Sequence, residues 1–237
     1  VLKILTWKAG LGLHRQRTVD VSQIPVRVGR PADAARAQQI ADDAVTRVRD
    51  EANVLPLKAA PPVEGGLPYL TNAETRNRLV TVVLSRDVSG PWGRVLGREI
   101  RRRVPDARVV VLDQATAAGA VEPVLAAVEE AEKVVVAAFF APQPGEAAVG
   151  AGDGDPAGRL LQGILEKAAD KTVVIAAGSP YVAQDFPQIR TYLCTFSSAA
   201  VSEVSAVKAL FGEIPIRGRL PVTIPGVAQR GAGLTQQ

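Results

Sequence analysis

Short apolar, β-branched runs alternate with longer amphipathic stretches over most of the chain. Leu79–Ser85, Arg108–Leu112, Lys133–Phe140, Thr172–Ala177 and Thr191–Phe196 have the length and near-continuous apolar character of strands buried on both faces. Between and after them, Trp92–Val104, Val121–Ala131, Ala157–Ala169 and Ala199–Phe211 repeat at helical spacing. In the last of these, Ala200, Val201, Val204, Val207 and Leu210 form the apolar stripe, and Gly212 stands where a helix C-cap belongs. Strands that alternate with helices predict an α/β fold. The expectation is a doubly wound, mainly parallel sheet of about five to six strands with helices on both faces, a three-layer αβα sandwich.

The first part of the chain follows another pattern. Val1–Leu13 has apolar residues at helical spacing and no capping residue ahead of it, so it reads as the tail of a helix. Thr18 to Pro31 is a polar, turn-rich linker. Asp33 is placed to cap a helix running to about Asp50, with Ala37, Ile40, Ala41, Ala44, Val45 and Val48 on one face. Pro61, Pro62, Gly65 and Gly66 mark a loop over Lys58–Thr71. The expected division is therefore 1–57 as exit helix, linker and lead-in helix, and 58–237 as the sandwich domain.

Several of the punctuating residues fall in an order that carries a resemblance. Gly178, Pro180 and Tyr181 follow one strand, and the chain closes on Leu210-Phe211-Gly212, then Gly218-Arg219-Leu220-Pro221 and Thr223. Near the other end, Lys3, Ile4, Leu5, Lys8, Leu11, Gly12 and Leu13 precede the linker, and the lead-in helix runs into Leu55-Pro56-Leu57. Together these stretches resemble the C-terminal sandwich domain of glycoside hydrolase family 3 and the segment that enters it. The resemblance implies that the partner is the protein's own N-terminal catalytic barrel in cis, which lies outside this chain. It further implies a carbohydrate substrate for the parent enzyme, no cofactor and no metal. A free-standing binding or scaffolding domain that shares only the fold is the alternative from another class.

Composition narrows the remaining classes. The 237 residues are 47% hydrophobic but only 4% aromatic, which describes a core of Ala, Val and Leu. No apolar run reaches the roughly 20 residues that span a bilayer, so no membrane segment is expected in this chain. It opens on Val1 and contains no methionine, and is expected to be a processed product or an excised piece. The net charge of +4 is concentrated at Arg94, Arg98, Arg101, Arg102 and Arg103, the outer face of one helix. Without interleaved aromatics or a known module, these arginines predict a solvated face and no nucleic-acid partner. Cys194, the single cysteine, sits in a strand and reads as a small hydrophobe. His14, the single histidine, lies in the linker with no second histidine to share a metal.

Candidate chemistry belongs in the loops beyond the carboxyl ends of the strands. The longest, Ala141–Pro156, holds Glu146, Asp153 and Asp155. In the glucosidase branch of the resembled family a glutamate on such a loop is the general acid/base, paired with a barrel aspartate. Retention needs the two carboxyl groups about 5 to 5.5 Å apart. Glu146 is the candidate acid/base for that branch, with Asp153 and Asp155 as candidate substrate contacts. The branch's Gly-Glu-x-x-Tyr start is replaced here by Phe139-Phe140-Ala141-Pro142. The N-acetylhexosaminidase branch, which takes its acid/base from a barrel histidine, is the better match, and it leaves no catalytic residue in this chain. Gly150–Gly154 lacks the spacing of a dinucleotide fingerprint, and its two flanking aspartates would repel a pyrophosphate. Ser89–Gly93, ahead of a helix, is the better anion site of the two. Ser197, Ser198 and Glu203 follow a strand but lack a nucleophile elbow and a nearby histidine.

Overall fold

The computed structural model describes residues 1–59, 79–140 and 155–235. Two compact units divide between Ala37 and Gln38. The first holds helix α1 (Leu2–Gly10), a 3-10 turn at Val21–Gln23, the short helix α2 (Ile24–Arg27) and the start of α3 (Pro31–Ala44). Lys3 lies over the Trp7 ring of α1, and Asp20 caps the turn that follows by accepting from the Ser22 amide.

The second unit is built on one six-stranded sheet. In chain order its strands are β1 (Thr46–Asp50), β2 (Leu79–Leu84), β3 (Arg108–Leu112), β4 (Lys133–Ala138), β5 (Thr172–Ala176) and β6 (Thr191–Cys194). Their spatial order is β1-β6-β5-β4-β2-β3. Every pairing is parallel except that of β1 with β6. The connecting helices are α4 (Arg94–Arg103), α5 (Gln114–Glu130), α6 (Pro156–Ala168), the single turn α7 (Val182–Asp185) and α8 (Ala200–Leu210). This is the mainly parallel three-layer sandwich expected from the alternating pattern.

Alternate residues of each strand feed two separate cores, as the pleat requires. Val80, Val82, Leu84, Val134 and Val136 join α5 and α6 on one face. Val83, Val135, Ala137, Ile175 and Leu193 join α4 and α8 on the other. Parallel strands covered this way have no solvated face, which is why β2 and β5 are buried throughout. Cys194 is buried, and desolvation raises its thiol to about 12, so it packs as a hydrophobe.

The structure departs from the sequence pattern in three places. The helix expected to reach Asp50 stops at Ala44, and Thr46–Asp50 becomes the antiparallel edge strand β1. Val45 and Val48 fit a helical stripe, but Thr46 and Val48 are β-branched and alternate with Arg47 and Arg49, which suits an edge better. Helix α5 begins seven residues earlier than Val121, at Gln114, because Asp113 and Thr116 cap it reciprocally. In α8 the buried side includes Ser202, Glu203 and Ser205, whereas Val201 and Val204 are only half-buried.

Both ends of this unit close on the same corner. Leu57 donates its amide to the Leu210 carbonyl at 2.7 Å, and Pro56 packs where a Gly212 Cβ would point. Gly212 has φ +70, the left-handed cap that ends α8. The tail then runs along the outer edge of β1. Gly218 donates to the Val45 carbonyl at 3.1 Å, and Leu234 donates to the Arg47 carbonyl at 2.7 Å. A Cβ on Gly218 would lie 2.4 Å from both Thr46 Oγ1 and the Val45 carbonyl oxygen, so only glycine fits there. Leu220 is 1% exposed, and the Arg230 amide donates to Thr223 Oγ1 at 3.1 Å. The tail thereby satisfies a sheet edge that would otherwise be open.

Candidate functional site

The chain leaves β2, pairs β3 on one side, then returns to pair β4 on the other. That reversal makes the crest between β2 and β4 the topological switch point, where ligands of open α/β sheets bind. Four turns meet the crest or flank it: Ser85–Gly93 after β2, Phe139-Phe140 after β4, Ala177–Tyr181 after β5 and Thr195–Ala199 after β6.

Among the candidate residues, Glu146 and Asp153 lie outside the described residues. Asp155 is described, and its immediate role is local. Its Oδ1 accepts from the Ala157 amide at 3.0 Å and caps α6, with Pro156 pre-set for the first helical position. Burial raises the Asp155 carboxyl above its ordinary value, against the opposing pull of the Ala157 and Gly158 amides, Arg159 and Arg86. Phe139 and Phe140 are 5% and 4% exposed and feed opposite cores, so the start of the loop after β4 is committed to packing.

The signature residues after β5 are structural as well. Gly178 has φ +136, and a Cβ there would meet the Phe140 carbonyl oxygen at 3.3 Å. The Pro180 carbonyl accepts from the Tyr192 hydroxyl at 2.8 Å, which satisfies a phenol otherwise buried in β6. Desolvation holds that hydroxyl well above its ordinary range, so it remains a donor.

The loop after β2 is the best organised part of the crest. Asp87 Oδ1 accepts from the Ser89 amide at 2.8 Å and from its hydroxyl at 2.6 Å. Arg94 donates to the Ser89 and Gly90 carbonyls, both at 2.9 Å. The Val88 amide donates to Asp113 Oδ2 at 3.1 Å. The far end is held by Glu203, which reaches across from α8. Its Oε1 accepts from the Gly93 amide at 3.0 Å and its Oε2 from the Leu96 amide at 2.7 Å.

Glu203 is 4% exposed, and the sequence, which set it beside Ser197 and Ser198 only as an incomplete hydrolase constellation, did not mark this capping role. One signal was available: α4 starts on Gly93 (φ +76), with no side chain of its own to cap it. A helix N-terminus with no local cap takes its acceptor from elsewhere. The anion expected at Ser89–Gly93 is therefore supplied by the chain itself. Ser85 Oγ, at the carboxyl end of β2, is buried without a hydrogen-bond partner in the structure. Among the described residues no group of three or more metal-ligating side chains comes together, and no helix is long and apolar enough to cross a membrane.

Strand order, covered faces and a switch-point crest define a doubly wound αβα sandwich domain. In fold, and over most of its sequence, the chain is similar to the C-terminal sandwich domain of glycoside hydrolase family 3 enzymes. A curated relative, a β-N-acetylglucosaminidase/β-glucosidase of Cellulomonas fimi, is 24% identical over 233 residues, which is 94% of this chain and 38% of the relative. A fungal multi-domain family 3 β-N-acetylglucosaminidase superposes with a TM-score of 0.67 at 21% identity, over 90% of this chain and 21% of its own. A family 3 β-N-acetylglucosaminidase of Paenibacillus sp. strain FPU-7 gives 0.61 at 15% identity, over 90% of this chain and 36% of its own. A β-glucosidase of intestinal bacteria involved in saponin metabolism gives 0.65 at 13% identity, covering 98% of this chain and 42% of its own. No family profile matches the chain. It thus spans well under half the length of these larger proteins and corresponds to one domain of them.

Proposed function

We propose that this chain is the C-terminal sandwich of a family 3 glycosidase that hydrolyses O-glycosidic bonds, those of terminal β-N-acetylhexosaminides. The catalytic barrel acts in cis from outside the chain and carries the nucleophile. Residues 1–57 serve as barrel exit, linker and lead-in, the lead-in adding the edge strand β1 to the sandwich of residues 58–237. The observation that carries this reading is the use of Phe139 and Phe140, where the glucosidase branch begins its acid/base loop. Both are buried in the cores, and the signature residues Gly178, Gly212, Gly218 and Leu220 are taken up in backbone geometry or packing as well. The sandwich then offers a shaped crest and contributes no reacting group. Asp155, with Asp153, is proposed as a polar contact to sugar hydroxyls at that crest.

A second reading rests on the Cellulomonas relative, whose name includes β-glucosidase. In it Glu146 protonates the leaving oxygen as general acid. The isolated chain separates a supporting domain from an enzyme. Incubated with aryl β-N-acetylglucosaminide and aryl β-glucoside, it is expected to release no phenol above background. Turnover that survives repurification would refute the supporting role, since retaining hydrolysis needs two positioned groups.

A further inference from the structure

The loop after β2 is held by two carboxylates whose surroundings differ. Asp113 is solvated, and its hydrogen bonds to the Thr116 backbone and side chain hold it below the usual carboxylate range. Glu203 is buried, and desolvation raises it, only partly offset by the Leu96, Gly93 and Val95 amides and by Arg98. Arg98 on α4 is the charged group that faces Glu203, and no salt bridge joins the two. Its neighbours on the same elements are engaged elsewhere. Glu99 binds Arg102 and Arg103, Lys208 of α8 binds Asp42, and Arg94 binds loop carbonyls. The carboxylate of Glu203 is thus balanced chiefly by the start of α4.

We propose that Glu203 is a proton-operated latch on the switch-point loop. Ionised, it accepts from two amides and clamps Gly93 and Leu96 to α8. Protonated, it loses the charge that faces the start of α4, and its hydroxyl oxygen accepts only weakly from the opposing amide. One clamp bond is weakened, and the Gly93 end of the loop loosens from α8 while Asp113 still holds Val88 and Arg94 still holds Ser89 and Gly90. Val83 of β2 and Leu96 of α4 are fully buried, so the packing beneath the loop does not rest on the cap alone. The latch therefore opens the crest between β2 and β4 under mild acid without unfolding the domain. This inference stands on the geometry of the chain alone and holds whether or not the parent is a glycosidase.

The test is an amide NMR pH titration and hydrogen exchange on the chain and on Glu203→Gln. In the wild type the Gly93 and Leu96 amide resonances should shift together, with one midpoint above that of an ordinary glutamate. Their exchange, corrected for intrinsic rate, should accelerate roughly ten- to hundredfold across that midpoint. Glu203→Gln, which presents an amide where one acceptor stood, should show the fast, pH-independent exchange at neutral pH. Ala137 and Ile175 in the sheet should keep their protection. Should the Glu203→Gln variant fail to fold, the wild-type titration decides alone. Gly93 and Leu96 resonances that do not titrate together, or exchange that is unchanged across the midpoint, would overturn the latch.

Discussion

The corner where Leu55–Leu57, the end of α8 and the tail meet and the crest between β2 and β4 are made of similar loop residues, yet they do opposite work. At the corner, Gly212, Gly218 and Leu220 sit against fixed backbone, with a Cβ on Gly218 excluded at 2.4 Å. Most polar contacts there run from backbone to backbone, and none rests on a carboxylate. At the crest, the Ser85–Gly93 loop is held by carboxylates, Asp113 and Glu203, and Ser85 Oγ has no partner. Packing against backbone gives a position that cannot move. Carboxylate caps give a position that depends on protonation and solvent, which is where a binding site belongs.

Substitutions at the corner should be the most damaging. Leu220→Ala removes a side chain that is 1% exposed and should cost about 2 to 5 kcal/mol by chemical denaturation. Gly218→Ala should cost roughly 1 to 3 kcal/mol, because Thr46 and the Val45 carbonyl must yield. An unchanged midpoint for either would mean that the tail does not seal the β1 edge. At the crest, Asp113→Ala removes the α5 cap and should cost only about 0.5 to 2 kcal/mol.

Acid should separate the two kinds of carboxylate by sign. Asp42, held by Lys208, Ser205 and Gln38, lies below its ordinary value even though burial pushes it up. Its contribution is present above the unfolded value and is lost as pH falls through the folded one. Glu203 is raised, so its penalty on folding disappears as pH falls from its folded value toward the unfolded one. Global stability should therefore gain from Glu203 in the mildly acidic range and lose from Asp42 below it. Asp42→Asn should reduce the low-pH loss in a denaturation series and Glu203→Gln the mildly acidic gain, since Asp113 and Glu213 share the first direction and Asp155 the second.

Deleting residues 1–13 should have the smallest effect, within about 0.5 kcal/mol on unfolding of the sandwich. A large loss would place that segment in the sandwich core and move the proposed boundary.

The corner was legible in the sequence because its constraints act on residue type. Gly178, Gly212 and Gly218 answer to positive φ or close approach, and the Leu55-Pro56-Leu57 stretch found its partner at Leu210–Gly212. Four of the five parallel strands were legible for a similar reason, since burial on both faces leaves a continuous apolar run; the edge strand β3 is only half-buried and was legible from its Val109–Leu112 run. Strand β1 was not, because Val45 and Val48 fit a helical stripe as well as an edge strand. Glu203 was hidden for another reason. It sits one turn into α8, where a charged residue ordinarily faces solvent, and its partners Gly93 and Leu96 are backbone amides more than a hundred residues away. Backbone amides leave no mark on a sequence.

The central claim is that the chain shapes a crest and donates no reacting group, and Glu146 tests it most directly. In the full-length enzyme, kcat of Glu146→Gln toward an aryl β-N-acetylglucosaminide is expected to fall only a few-fold. A general acid lost from this position would instead slow turnover by about 10² to 10⁴-fold. A loss of that size, rescued by added azide, would show that the sandwich carries the acid/base and would contradict the account.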